Sequence, residues 1–165
     1  MKRHLSIVLL VVLVFSLIGC KNNKTNPDAP TFYYIKNDAE FDGTTNIVTS
    51  FYPDINKSTN SHKDILSVYF NGPTTYECRS PFPSGTMLED FRVMSNRAIL
   101  VLSPQFATIT GAERTIAFAC LTKTVIELTG VKSVQIGVEG VQLDGEDYIT
   151  FDGNSFTYSD DLPVN

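Results

Sequence analysis

The sequence predicts a two-layer α+β domain in which two helices cover one face of a small mixed β-sheet. The first observation behind this prediction is the order of the segments, which follow one another as β-β-α-β-β-α-β. The second is the contrast between a long helix at residues 110–129 and the apolar strands on either side of it, at 98–103 and 131–140. A hairpin at residues 148–158 is expected to follow this core.

The first two strands are predicted at residues 31–36 and 44–52, which are rich in aromatic and β-branched side chains. The polar stretch between them predicts a hairpin with a long loop. Pro53 is expected to end the second strand, because proline cannot donate a ladder hydrogen bond.

Residues 61–70 are predicted to form the first helix. Ser61 and Asp64 have the spacing of a capping box, and Asn71-Gly72-Pro73 is a typical helix stop. The short apolar run also fits a buried strand, because periodicity alone does not separate the two. The proline-containing stretch 74–86 is predicted to be a loop.

Two strands are predicted at 87–94 and 98–103, joined by a turn at Ser95-Asn96 that lacks the glycine of the tightest hairpins. The second of these strands is almost continuously apolar, as expected of a central position. Residues 104–109 then connect it to the long helix.

The long helix has recognisable ends. Thr110 and Glu113 form a second capping-box pattern, and Gly130 can adopt the left-handed conformation that ends a helix. The β-branched run 131–140 predicts the strand that follows. The hairpin at 148–158 is expected to turn at Asp152-Gly153-Asn154.

The first 20 residues are typical of a bacterial lipoprotein leader. A basic start precedes an apolar run, Leu5 to Ile18, that is too short for a comfortable membrane span. Its end, Leu17-Ile18-Gly19-Cys20, resembles a lipobox. In that interpretation Cys20 becomes the first mature residue and the lipidation site, with acyl groups such as palmitate, and two or three chains anchor a protein stably. The alternative is an uncleaved signal anchor with an incidental cysteine.

Residues 21–30 are polar and contain Pro27 and Pro30, which predicts an extended tether before a domain at 31–158. The 165-residue chain has a net charge of −5, and loss of Lys2 and Arg3 with the leader makes it −7. This acidity argues against a nucleic-acid partner and against charge-driven binding to anionic lipid. Membrane attachment is therefore expected through the lipid anchor.

The stretch from about Asp64 to Gly140 resembles the GerMN domain of sporulation and spore germination proteins. The residues that carry the resemblance are the helix end Gly72-Pro73, the loop Ser80-Pro81-Phe82-Pro83-Ser84-Gly85-Thr86, the strand and connection from Ala98 to Phe106, and the helix–turn–strand from Leu121-Thr122 through Gly130 to Gly140. The strands at 31–36 and 44–52 fit its beginning less specifically. Ser95-Asn96 and the cysteines Cys78 and Cys120 depart from the family pattern.

The resemblance implies a non-enzymatic domain, of the kind found on lipoproteins at the outer side of the bacterial membrane. It also implies protein–protein assembly, with an envelope partner or with further copies, in sporulation or germination if the source forms spores.

Residues with catalytic or metal-binding chemistry are sparse. His62 is the only histidine after the leader, and it has neither a second histidine nor a carboxylate cluster at ligand spacing. Asp144, Glu146, Asp147 and Asp152 form a local acidic group, for which a solvated turn is favoured over a weak Ca²⁺ site. The sequence therefore predicts no catalytic residue, no metal and no cofactor.

Cys78 and Cys120 are the cysteines outside the leader. A disulfide between them is conceivable outside the cytoplasm, while Cys120 in an apolar helix face also fits a small buried hydrophobe. Five aromatic residues of the first hairpin fit either a hairpin core or a ligand groove: Phe32, Tyr33, Tyr34, Phe51 and Tyr52.

The function predicted from the sequence is that of a lipid-anchored, extracytoplasmic, non-enzymatic protein that assembles with a partner through a sheet edge or helix face. A small-ligand or cell-wall-binding lipoprotein is the alternative. An envelope hydrolase ranks third, because the chain lacks a recognisable acid–base pair.

Overall fold

The computed structural model describes residues 26–39 and 47–157. The elements within those residues are, in chain order, β1 (Phe32–Lys36), β2 (Val48–Phe51), α1 (His62–Phe70), β3 (Cys78–Arg79), β4 (Leu88–Met94), β5 (Arg97–Leu102), a 3₁₀ helix (Pro104–Thr108), α2 (Gly111–Thr129), β6 (Ser133–Val138) and β7 (Ile149–Asp152).

The strands form two sheets, where the sequence predicted one. The smaller has the order β2-β1-β3 and is antiparallel, and the larger has the order β4-β5-β6-β7. In the larger sheet β5 and β6 are parallel, with α2 as their crossover, while the outer pairs are antiparallel. The predicted α+β class, the mixed sheet and the two helices are confirmed.

The larger sheet has one covered face, which follows from the alternation of side chains along a strand. Ala98, Leu100 and Leu102 of β5 are fully buried, and they pair in register with three buried residues of β6. Both helices pack against this face. The three residues of β6 are Val134, Ile136 and Val138.

Three of the four predicted helix-end signals are confirmed: Ser61, the stop at Asn71-Gly72, and Gly130. Ser61 caps α1, with its Oγ accepting from the N–H of Asp64 at 3.2 Å. Gly130 ends α2 with φ of 72°. Thr110, however, precedes α2 without any side-chain cap hydrogen bond, so the predicted capping box with Glu113 is wrong.

Aromatic rings run through the core in a continuous chain, with neighbouring centroids 4.7–6.4 Å apart. Each such contact adds about 0.5–1.5 kcal/mol beyond the buried area. The chain links the small sheet, both helices and β7. Its members are Phe32, Tyr69, Phe70, Phe82, Phe106, Phe118, Phe151 and Phe156.

Three segments differ from the sequence prediction. The predicted loop 74–86 contains β3, which pairs with β1. Of the predicted hairpin at 148–158, only the first strand, β7, is present, and it pairs with β6. The chain after Asp152 turns and forms no second strand up to residue 157. The end of the predicted tether, residues 26–30, is packed on the domain rather than free, and Ala29 and Pro30 are buried.

Candidate interaction surface

The outer face of the larger sheet is open to solvent. On β5, Ile99 and Val101 alternate with the buried residues and are only half-buried. Met94 at the end of β4 lies on the same face and is 61% exposed. Within residues 26–39 and 47–157 the helices pack on the other face, so this surface is accessible to a partner.

Gly137 of β6 is closely approached by Asp147 and Tyr148. A Cβ on Gly137 would lie 2.7 Å from the backbone oxygen of Asp147 and 2.8 Å from Cε1 of Tyr148. Since Gly137 alternates with the buried Ile136 and Val138, the Tyr148 ring must lie on the open side. Tyr148 keeps 40% of its surface exposed there. This contact was not predicted from the sequence, although a glycine inside a β-branched run is a sign of a close approach.

The edge of the larger sheet at β4 is blunted. Lys63 Nζ donates to the backbone oxygen of Glu89 at 3.2 Å, and the N–H of Phe91 donates to Oδ1 of Asp90 at 2.9 Å. Asp90 also pairs with Arg92 at 2.9 Å. Charged side chains and occupied backbone groups discourage the addition of another strand. The face is therefore a better binding surface than this edge.

The aromatic residues of the first hairpin mostly form its core. Phe32 and Tyr34 are buried, and the Tyr34 hydroxyl donates to the backbone oxygen of Tyr69 at 2.8 Å. The Tyr69 hydroxyl in turn donates to the backbone oxygen of Tyr33 at 2.7 Å. Burial raises the pKa of Tyr34. Of the five residues, Tyr52 is the exposed one, at 49%, so the set as a whole lines no groove.

A separate apolar groove of about 360 Å³ lies between the proline-containing loop and the start of α2. Its size falls at the lower end of the range for small-molecule sites. Arg79 and Glu113 lie among its lining residues, so an anionic and a cationic side chain border an apolar floor. The other lining residues are Ile35, Ser80, Pro81, Phe82, Pro83, Ile109, Ala112 and Ile116.

Three of the four carboxylates of the acidic group serve separate local roles. Asp144 makes a bidentate contact to Arg114 Nη2 at 2.8 and 3.0 Å, Asp147 accepts from Gln142, and Asp152 accepts from the N–H of Asn154. Asp144 has φ of 53° and Gly145 follows with φ of 86°, in a tight turn whose flanking residues exchange backbone hydrogen bonds. The Asp-Gly pair was a sequence signal for this turn. Across the described residues, no three His, Cys, Asp or Glu side chains are grouped to hold a metal.

The remaining chemical candidates lie apart from one another. His62 is exposed at the start of α1, its ring 6.4 Å from that of Phe91. Cys78 and Cys120 are buried free thiols and are not bridged. Burial raises the pKa of Cys120 to about 12, and burial followed by the Glu77 charge raises that of Cys78. Neither thiol is therefore an activated nucleophile.

Cys20 lies outside the described residues, so its lipidation stays a prediction. None of the helices in residues 26–39 and 47–157 is long and apolar enough to cross a membrane.

Comparison with known proteins agrees with this description. The family model Germane, described as sporulation and spore germination, matches residues 31–144. The first GerMN domain of the sporulation protein GerM from Bacillus subtilis superposes with a TM-score of 0.55 at 18% identity, covering 75% of this chain and 95% of that one. The tandem GerMN domains of the same protein give a TM-score of 0.58 at 18% identity, over 79% of this chain and 47% of that one. No curated protein matches.

At 18% identity the two superpositions show the fold alone. The family match carries more weight, because it covers well over half of the chain and contains all the strands and helices except β7. The chain belongs to the Germane family, whose GerMN domains are associated with sporulation and spore germination.

Proposed function

We propose that this protein is a lipid-anchored, extracytoplasmic GerMN protein that works without catalysis, by presenting the open face of its larger sheet to a protein partner at the cell envelope. The lipid is attached at Cys20. The partner is a different envelope protein or a further copy of this chain, and the process is sporulation or germination.

The observation that carries this proposal is the apolar content of a solvent-facing sheet. Four apolar residues lie on this face: Met94 on β4, Ile99 and Val101 on β5, and Tyr148 just before β7. Interfaces characteristically have such an apolar centre with Met and Tyr enriched, surrounded by polar residues. Arg92 and Arg97, the register partners of Ile99 and Met94, supply polar groups on the same face.

The dispersal of the chemical groups supports a binding role over an enzymatic one. A hydrolytic site needs an acid and a base, or a nucleophile and a base, within hydrogen-bond reach of a common substrate. In the described residues His62 has only an aromatic ring contact, and the carboxylates of the acidic group hold turns and a salt bridge.

Site-specific photocrosslinking tests the interaction surface. A benzophenone amino acid replaces Met94 on the open face or, as the matched control, Val68, which is 37% exposed on α1. Crosslinks to a defined protein in intact cells from position 94, and their absence from position 68, are the expected result. Equal crosslinking from both positions, or none from position 94, would show that the open face is not the binding surface.

The identity of the partner is tested on purified protein. Light scattering coupled to gel filtration over a concentration series gives oligomers if the partner is another copy, and a monomer throughout if it is a different protein. Lipidation is tested separately with labelled palmitate, which should enter the unaltered chain and not Cys20→Ser. Labelling of both chains would show that Cys20 is not the lipidation site.

The groove bordered by Arg79 and Glu113 favours a second candidate, a small-ligand or cell-wall-binding lipoprotein. Its apolar floor and its two opposite charges suit a short peptide segment such as those of the wall. Chemical-shift changes on titration with wall fragments should centre on Phe82, Ile109 and Ile116. Shifts that instead follow the open face, or no shifts at all, would reject this candidate.

A further inference from the structure

The chain between Asn26 and Pro30 is bound by the domain through a specific set of contacts. Asp28 Oδ2 accepts from the N–H of Ser58 at 3.2 Å and from its hydroxyl at 2.5 Å. The N–H of Lys57 donates to the backbone oxygen of Asp28 at 2.9 Å, and Asn26 Nδ2 donates to Asn56 at 2.5 Å. These hydrogen bonds hold residues 26–30 on the domain, although their composition predicted a tether.

The bound segment begins close to the proposed anchor. Asn26 is the sixth residue after Cys20, and six extended residues span at most about 20 Å. With the Cys20 side chain and the Asn26–Asn56 contact added, the loop that contains Asn56, Lys57 and Ser58 stays within about 30 Å of the lipid-bearing sulfur. A fully free ten-residue tether would leave the domain able to rotate over the membrane.

The loop at Asn56–Ser58 leads into α1, and α1 packs against β4, one edge strand of the larger sheet. Three residues further on Ser61 begins α1, whose first turn contacts β4 through Lys63 and Glu89. The strand β7 is the opposite edge of the same sheet, three strand spacings or about 14 Å away. The anchored side of the domain is thus the β4 side.

The β4 side and the β7 side of the domain also differ in charge. On the side of the clasped loop and β4, Lys57, Lys63 and Arg92 are exposed together with Asp54, Asp64 and Glu89, and the clasp adds Asp28, which makes a surface of mixed charge. At the far side the exposed carboxylates of Glu146, Asp147 and Asp152 dominate. An anionic bilayer repels the acidic side and favours its orientation towards solvent.

We infer that residues 26–30 form a clasp that orients the domain on the membrane, with the loop 54–60 and the start of α1 facing the lipid head groups and β7 facing away. The inference rests on the lipid anchor at Cys20 proposed above. In this orientation the open sheet face stands to the side, where neighbours in the same membrane can reach it. Hydrogen bonds from Ser58 hold the pKa of Asp28 below its ordinary value of 3.8, so the clasp is charged at physiological pH.

The test uses the chain from Cys20 to Asn165, coupled through the Cys20 thiol to a maleimide lipid in phosphatidylglycerol/phosphatidylethanolamine vesicles. Because Cys78 and Cys120 are buried, the coupling is selective for Cys20. A dye is placed through an azide-bearing amino acid at Thr59 or at Glu146, both exposed. A head-group spin-labelled lipid then quenches dyes that lie near the bilayer surface.

The inference predicts several-fold stronger quenching at position 59 than at position 146. Asp28→Ala should abolish this difference and Ser58→Ala should reduce it, whereas Asp54→Ala, a matched change at an exposed carboxylate of the same loop, should leave it intact. Equal quenching at the two positions in the unaltered chain overturns the inference, as does a difference that survives both clasp variants.

The coupling is made in vitro, so this outcome does not depend on whether cells lipidate Cys20. Failure of palmitate labelling would refute the anchor, and equal quenching would refute the clasp.

Discussion

Replacing Gly137 with alanine tests the packing that shapes the open face. The new Cβ would lie 2.7 Å from the Asp147 oxygen and 2.8 and 2.9 Å from two carbons of the Tyr148 ring. Relief of these contacts needs a shift of the 147–148 backbone, because the nearest atom belongs to the main chain. Overpacking of this kind costs about 1–3 kcal/mol, and the intrinsic gain of alanine over glycine in a strand offsets about 0.5–1 kcal/mol.

The net expectation is a loss of about 1–2 kcal/mol in the free energy of unfolding, or about 3–8 °C in Tm for a domain of this size. Urea titration followed by circular dichroism measures the first quantity and a thermal melt the second. Gly153→Ala is the matched control, because a Cβ there meets nothing within 4 Å, and its effect should stay within about 0.5 kcal/mol.

The double variant Gly137→Ala with Tyr148→Ala separates the contact with the Tyr148 ring from the contact with the Asp147 backbone oxygen. It should recover only part of the loss, because the Asp147 oxygen remains in place. A Gly137→Ala protein as stable as the unaltered chain would refute the close approach, and with it the position of Tyr148 on the open face.

Three further predictions concern other parts of the domain. Ser95→Gly should stabilise it by up to about 1 kcal/mol in urea titration, because Ser95 has a positive φ of 54° that glycine adopts without strain, and no gain would contradict the turn geometry. The free energy of unfolding should fall as pH rises from 9 towards 12, because the folded state keeps Cys120 protonated above its ordinary pKa of 9.0. Cys120→Ala should make this fall less steep, and an unchanged slope would show that Cys120 is not the cause. Asp144→Asn should cost less than about 1 kcal/mol, because the Asp144 side chain is 65% exposed, and a larger loss would show that the Arg114 contact is more than a surface ion pair.

The covered side of the sheet could be predicted because burial leaves a periodic pattern. The sequence shows the alternation of β6, where apolar residues alternate with small or polar ones, and the αL glycine after α2, whereas β5 is apolar at nearly every position. The division into two sheets could not be predicted in the same way. It depends on β3, a two-residue strand whose pairing with Ile35 and Lys36 is a long-range contact.

The candidate surface was harder to predict than the fold, because each of its features depends on contacts between distant segments. Tyr148 reaches Gly137 only after the chain has turned at Asp144-Gly145. The clasp at Asp28 looked like tether because its residues are polar, yet its partner is a loop thirty residues away in sequence, at Ser58. Thr110 shows the converse failure, in which a capping pattern is present and the hydrogen bond is not.

The size of the open face constrains how the protein can work. Four strands at a spacing of about 4.8 Å, with strands of about 20 Å, present only about 300–400 Å². A stable interface buries about 800 Å² on each partner, so this face alone supports a weak contact. A blunted β4 edge removes strand addition as a way to enlarge it.

Lipid anchoring would compensate for that weakness. A partner in the same membrane meets the face at a high effective concentration, and a weak contact then suffices for assembly. The clasp adds orientation, since a domain that rotated freely would present the face to its neighbours only part of the time. This dependence means that loss of the anchor should abolish crosslinks from position 94 in cells, even though the Cys20→Ser chain keeps its fold. Crosslinks that persist at full strength without the anchor would require a larger interface than the open face provides.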